Sequence, residues 1–206
     1  MKKRHLILVR HGQSEWNARN LFTGWKDPGL TDEGMKEALG AGNTIKKENI
    51  SFDSMYTSEL IRAQITGSVI LKAIDQLDIP IYKNIALNER NYGSLAGLNK
   101  DDARKKWGDE QVHIWRRSFD IPPPDGESLK NTAERVLPYF NKEILPKVVY
   151  GSNILIAAHG NSLRSLIMQL DDINEEDIVN LEIPTGAPIK YIFDGSGSIL
   201  EKVNLY

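Results

Sequence analysis

Two short apolar runs constrain this chain more than any other feature. Leu6-Ile7-Leu8-Val9 and Ile154-Leu155-Ile156-Ala157-Ala158 have no polar residue at alternate positions, and they lead into His11-Gly12 and His159-Gly160. Such runs suit strands buried on both faces, the situation of a parallel sheet covered by helices. The two histidines are 159 minus 11, or 148, residues apart, so the echo belongs to the fold and not to a local repeat. Between and after them the pattern alternates. Thr31-Asp32-Glu33 offers a cap and two acids for a helix with Met35, Ala38, Leu39, Gly42 and Ile45 at helical spacing. Ser54 to Thr57 reads as a second strand. Ser58 is placed to cap a helix whose apolar face carries Ile61, Ile65, Ser68 or Val69, and Lys72 or Ala73, with Arg62 in its first turn.

Pro80-Ile81-Tyr82 begins an extended piece that enters a loop from Asn88 to Leu98, and Lys100 to Arg117 reads as charged, aromatic helix. Asp120 to Gly126, with three consecutive prolines, is the clearest linker, and the helix from about Ser128 should kink near Pro138. Leu163, Leu166, Ile167 and Leu170 form an amphipathic stretch after the second His-Gly, and Ile189 to Phe193 with Ile199 to Val203 reads as a hairpin. The expectation is an α/β fold: a three-layer sandwich with a mostly parallel central sheet and an antiparallel edge, residues 1–206 forming one domain.

Composition then narrows the function. With 26 Lys and Arg against 28 Asp and Glu in 206 residues, the chain has no electrostatic footprint for nucleic acid. A chain of this mass buries roughly 70% of its unfolded surface, enough for a core without staples. No cysteine is present, so disulfides, thiolate metal sites and cysteine nucleophiles are excluded. Met1-Lys2-Lys3-Arg4-His5 resembles the start of a signal peptide, but Leu6 to Val9 is too short for its apolar region. The expected setting is cytoplasmic, with no membrane partner, because no run approaches the roughly 18 apolar residues of a spanning helix.

In an open α/β sheet, ligands bind beyond the carboxyl ends of the strands, so both histidines are expected on the ligand side. Singly, either would be an ordinary strand-ending histidine bonded to a backbone carbonyl. Two matching strand ends point to convergence. Arg10, Gln13, Ser14 and Asn17 surround His11 with donors, a helix start near Ser14 could aim amides at an anion, and Arg62 with Arg116-Arg117 could extend the same pocket. That set suits a phosphoryl group. A metal site is the rival use of paired histidines, but His5, His11, His113 and His159 lack ligand spacing. A serine triad using Ser14 or Ser162 is weaker still, since no Gly-x-Ser-x-Gly elbow occurs.

The segment Leu8-Val9-Arg10-His11-Gly12-Gln13-Ser14-Glu15-Trp16-Asn17 closely resembles the signature of the histidine phosphatase superfamily. Phe22 to Trp25, Tyr56-Thr57-Ser58 with Arg62-Ala63, Leu87 to Gly93, Gly97 to Lys100, Trp115 to Arg117, Ala158 to Ser162 and Ile183 to Gly186 resemble one branch of it, the cofactor-dependent phosphoglycerate mutases. The resemblance implies that His11 is phosphorylated, that Glu89 is the proton donor and acceptor, and that Arg10, Arg62 and His159 clamp the moving phosphoryl group. It assigns substrate binding to Arg10, Ser14, Asn17, Thr23, Gly24, Arg62, Glu89, Arg90, Asn91, Tyr92, Lys100, Arg116, Arg117, Gly160 and Asn161. It further implies small phosphoglycerates as substrates, 2,3-bisphosphoglycerate as priming cofactor, no metal, and a homodimer.

For its role, Glu89 is expected to have a pKa raised toward working pH by burial. Two departures accompany the resemblance. Only Asp120 to Gly126 fills a position where many members carry a longer insertion, and Tyr206 follows directly on the last strand, where longer relatives add a tail. The alternatives to a mutase are a phosphatase using the same phosphohistidine and a noncatalytic module that binds a phosphorylated ligand.

Overall fold

The computed structural model describes residues 3–206; Met1 and Lys2, the beginning of the basic start, lie outside the described residues. In chain order the strands are β1 (Arg4–Arg10), β2 (Ser54–Thr57), β3 (Ile81–Lys83), β4 (Ile154–Ala158), β5 (Pro188–Phe193) and β6 (Ile199–Asn204). They form one sheet in the order β3-β2-β4-β1-β5-β6. The first four neighbours run parallel, while β5 is antiparallel to β1 and to β6. The mostly parallel sheet with an antiparallel edge is thus as the sequence indicates. Pro188 is tolerated because it opens its strand, where its missing N–H costs the ladder least.

The helices are α1 (Glu15–Ala18), α2 (Asp32–Lys46), α3 (Ile61–Ala73), α4 (Lys100–Trp107), α5 (Asp109–Arg117), α6 (Leu129–Tyr139), α7 (Leu145–Tyr150), α8 (Gly160–Leu170) and α9 (Glu175–Ile178). Alternate residues of each strand feed opposite cores, which gives the three layers. Leu6, Leu8, Ile154 and Ile156 pack against Val136, Phe140, Val148, Leu163 and Leu166 of α6 to α8. Ile7, Val9, Leu155 and Ala157 pack against Ala41, Ile45, Ile70 and Leu71 of α2 and α3. A third, smaller cluster of Phe22, Leu95, Ala103, Val112 and Trp115 ties α4 and α5 to the loops above the sheet.

Two helix faces differ from expectation. On α2 the buried side is Gly34, Ala38, Ala41, Gly42 and Ile45, while Met35 and Leu39 are 42% and 48% exposed. On α3 the buried side is Arg62, Ala63, Thr66, Gly67, Ile70 and Leu71, and Ile61 faces out. The reason is close packing. A Cβ at Gly42 would lie 2.6 Å from the Ala73 Cβ, so the two helices meet closely at small residues there, and Met35, Leu39 and Ile61 are left outside. Nor does Ser58 cap α3: Leu60 occupies the cap position without a side-chain bond, and the Ser58 hydroxyl is used elsewhere. The break near Pro138 takes the form of a wide turn over Phe140–Ile144, after which the chain continues as α7. Gly42→Val should therefore force α2 from α3 and cost about 1–3 kcal/mol, read as a lower urea midpoint at unchanged slope.

Candidate active site

β1 and β4 are direct neighbours in register, Arg10 opposite Ala158, so the residues that follow them emerge side by side. The His11 amide donates to the Ala158 carbonyl at 2.9 Å, and the His11 and His159 rings lie 5.0 Å apart between centroids. Both histidines are buried. Gly12 follows because backbone crowds that point: a Cβ there would lie 2.1 Å from the Gly34 carbonyl oxygen in the first turn of α2.

His11 Nδ1 lies 2.7 Å from its neighbour's carbonyl, Gly12 O. A carbonyl only accepts, so Nδ1 carries the hydrogen and Nε2 keeps its lone pair. Burial, then the charges of Arg62 and Arg10, hold the His11 pKa well below 6.5. Burial, Arg62, His11 and Arg10 do the same to His159, whose Nε2 lies 2.7 Å from the Ser58 hydroxyl. Both rings are neutral at neutral pH, and His11 presents a nucleophilic nitrogen.

Glu89 closes the site from the opposite loop. Its Oε1 accepts from the Arg90 amide at 2.8 Å and from the Asn161 amide and side-chain nitrogen at 3.0 Å each. Burial pushes this carboxyl up, but the Arg90 amide, the charges of Arg10 and Arg62 and the Asn161 side chain outweigh it, so its pKa lies below the usual carboxylate value. The expectation of a raised pKa is corrected: burial does act, and two donors with two guanidinium charges overcome it.

The cations are held mainly by backbone carbonyls. Arg10 Nη1 donates to Ile183 O at 2.7 Å, and Arg62 donates to Gly24 O and Lys26 O, both at 2.9 Å. Gly24 has φ of +55°, and a Cβ there would sit 2.9 Å from the Tyr92 amide, so this turn demands glycine. Burial lowers the Arg62 pKa to about 10, with Glu89 and Asp27 pulling it back up. Arg62 thus stays charged.

Thirteen expected residues line one pocket: Arg10, His11, Asn17, Thr23, Gly24, Arg62, Glu89, Tyr92, Lys100, Arg116, Arg117, Gly160 and Asn161. Four expected residues do not. His159 lies behind His11 against Ser58. Ser14 and Asn17 bond each other's amides in a capping box at α1, so that helix start spends its donors on itself. Arg90 turns to the Tyr92 hydroxyl and Arg116 O, and Asn91 bonds Glu127 and Gly93.

The pocket also contains residues the sequence reading missed, Leu21, Phe22, Arg164 and Glu182. Arg164 follows Asn161 by one helical turn and donates to its Oδ1 at 2.9 Å, a spacing that could have flagged it. Glu182 pairs with Arg117 at the rim and has no comparable signal. Among the described residues, six cations face the pocket. Three buried donors in its lining, Arg10 Nε, Arg62 Nε and Thr23 Oγ1, find no partner among the described residues. Such donors fit an anion with several oxygens, a phosphoryl group above all. Among the described residues, no three His, Asp or Glu side chains gather as metal ligands could.

Comparison with known proteins agrees with this geometry. The family model described as the histidine phosphatase superfamily, branch 1, matches residues 6–205. The 2,3-bisphosphoglycerate-dependent phosphoglycerate mutase of Parvibaculum lavamentivorans is 65% identical over 197 residues, 96% of this chain and 94% of that protein. The protein of the same name from Rhodopseudomonas palustris is 57% identical over 205 residues, 100% and 99% of the two chains. Among solved structures, the alpha-ribazole phosphatase of Shigella flexneri superposes with a TM-score of 0.82 at 23% identity, covering 98% of this chain and 96% of its own.

The depressed histidines make stability depend on acid. The unfolded chain takes up protons at His11 and His159 below pH 6.5, whereas the folded chain cannot until far lower pH. Urea midpoints should therefore fall as pH drops below 6.5, and fall less steeply in His11→Asn. Equal slopes in the two proteins would contradict this.

Proposed function

The chain belongs to branch 1 of the histidine phosphatase superfamily, and from that premise we propose that its pocket interconverts 3-phosphoglycerate and 2-phosphoglycerate through a phosphoryl group carried on His11. The observation that carries this reading is the meeting of a neutral imidazole nucleophile and a carboxylate in one pocket lined by six cations. A noncatalytic phosphate binder would need the cations but not that pair.

His11 Nε2 attacks phosphorus; the N–P bond forms as the bond to the departing oxygen breaks. Arg10 and Arg62 offer positive charge and donors to the equatorial oxygens as charge spreads over them, while neutral His159 stands behind His11. Glu89 delivers a proton to the departing oxygen and, in the return step, takes one from the hydroxyl that attacks phosphohistidine. A bound phosphoryl group brings its own negative charge beside Arg10 and Arg62, which weakens their hold on Glu89 and raises its pKa toward that of a proton donor. Lys100, Arg116 and Arg117, reaching in from α4 and α5, supply the charge a glycerate carboxylate or second phosphate needs.

The residues also fit 2,3-bisphosphoglycerate, since Arg10 Nε, Arg62 Nε and Thr23 Oγ1 await acceptor oxygens and the remaining cations match a polyanion. When bound, it supplies the phosphoryl group that primes His11. The short Asp120 to Gly126 segment leaves a second outcome, in which water takes the phosphoryl group and free phosphate appears.

A homodimer forms part of the same reading. Supporting it, Met35, Leu39, Ile61, Leu77 and Ile81 make an exposed apolar strip along α2, α3 and the edge strand β3.

Incubation with 3-phosphoglycerate, with and without 2,3-bisphosphoglycerate, should yield 2-phosphoglycerate in excess of phosphate; phosphate alone would favour the phosphatase. Glu89→Gln should lower turnover by about 10² to 10⁴ with little change in KM. Arg10→Ala should impair both, and near-normal turnover of Glu89→Gln would move the proton carrier elsewhere.

A further inference from the structure

The loop that carries Glu89 is braced from behind by one side chain. Arg135, on α6, donates from Nη1 to Ala86 O at 2.8 Å and Asn88 O at 3.0 Å, and from Nη2 to Glu89 O at 2.9 Å. Its Nε and Nη2 also reach the two oxygens of Glu127, at 2.9 Å each. Glu127 in turn accepts from the Asn91 amide at 2.8 Å, and its own amide donates to Asn91 O at 2.7 Å. Trp25 Nε1 gives Glu89 O a second donor at 2.6 Å, and the Arg135 guanidinium lies 5.6 Å from the Trp25 ring centre.

These contacts bear on chemistry through one peptide group. The Glu89 carbonyl and the Arg90 amide belong to the same rigid plane. Arg135 and Trp25 hold its oxygen, and its N–H, at the other end, holds the Glu89 carboxylate. Tilting that plane swings the amide away from Oε1 and frees the carboxylate to rotate. Neither Arg135 nor Glu127 lines the pocket, so neither is placed to meet substrate.

We propose that Arg135, oriented by Glu127, is a positioning residue that aims the Glu89 carboxylate through the Glu89–Arg90 peptide. This rests on the reading of Glu89 as proton carrier. The forked guanidinium is what the place requires, because it addresses three carbonyls and a carboxylate from one plane, whereas an ammonium offers a single nitrogen.

Turnover of the unaltered protein is measured first, as 2-phosphoglycerate or free phosphate; absence of both overturns the functional reading and this proposal with it. Arg135→Lys keeps the charge and loses the fork. It should lower kcat about tenfold to a hundredfold, as small misplacements of a reacting group do, while KM moves less than about threefold. Glu127→Gln should show the same split and carries the test if Arg135→Lys fails to fold.

The deciding arm is the double variant. In a Glu89→Gln background, adding Arg135→Lys should cost less than about twofold, because the group it positions is already inert. An equal loss in both backgrounds, a rise in KM with kcat retained, or an unchanged kcat overturns the positioning role while leaving the functional reading intact. Should Glu89→Gln itself keep normal turnover, the positioning role falls with the assignment of Glu89 as proton carrier, while the functional reading stands.

Discussion

Concentrating six like charges in a pocket is the constraint to which the rest of the structure answers. Carboxylates could neutralise the arginines, but only by spending the attraction meant for an anion. The protein relies mainly on carbonyl dipoles, Ile183 for Arg10, Gly24 and Lys26 for Arg62, Leu181 for Arg164 and Val179 for Arg117, and adds only the half-exposed Asp27 near Arg62 and the rim carboxylate Glu182 near Arg117 and Arg164. Carbonyls satisfy the N–H groups of a buried guanidinium without cancelling its charge. Burial first, and then the field that survives, keep both histidines neutral, and the Arg90 amide together with that field holds Glu89 ionised. The loops around the pocket are thus shaped by the need to present oxygen atoms to arginines, which accounts for turns as exacting as the one at Gly24.

Much of this was legible in the sequence. The two His-Gly strand ends announced a sheet and a convergence, and the register of β1 with β4 delivers both. Burial on the helices was less legible. Spacing identified apolar residues on α2 and α3, but Gly42 lies against Ala73 and Ile70 while Gly67 lies against Met55 and Ala157 of the sheet, so small residues share the buried flank and Met35, Leu39 and Ile61 are left outside. Hydrophobic periodicity marks a helix; contact distance decides which flank is inside.

Charged side chains resisted reading for another reason. Arg90 and Arg62 sit in equally suggestive motifs, yet one reaches back to Tyr92 and Arg116 while the other lies in the pocket. Their directions depend on which carbonyls lie near, a tertiary fact. The sign of the Glu89 shift has the same character. Burial was foreseeable, but whether it prevails turns on how many donors face the carboxylate, and Asn161 stands 72 residues away in the chain.

The sheet's outer border at β3 has a consequence for how molecules of this protein meet. That strand is three residues long, with Pro80 before it and a turn capped by Asn84 after it, and its side chains are exposed. An open border invites pairing with another chain, and a long flat one would invite unlimited pairing. Three residues offer only a rung or two of backbone ladder. Edge-to-edge contact at this border would be self-limiting, held short by brevity rather than by charge.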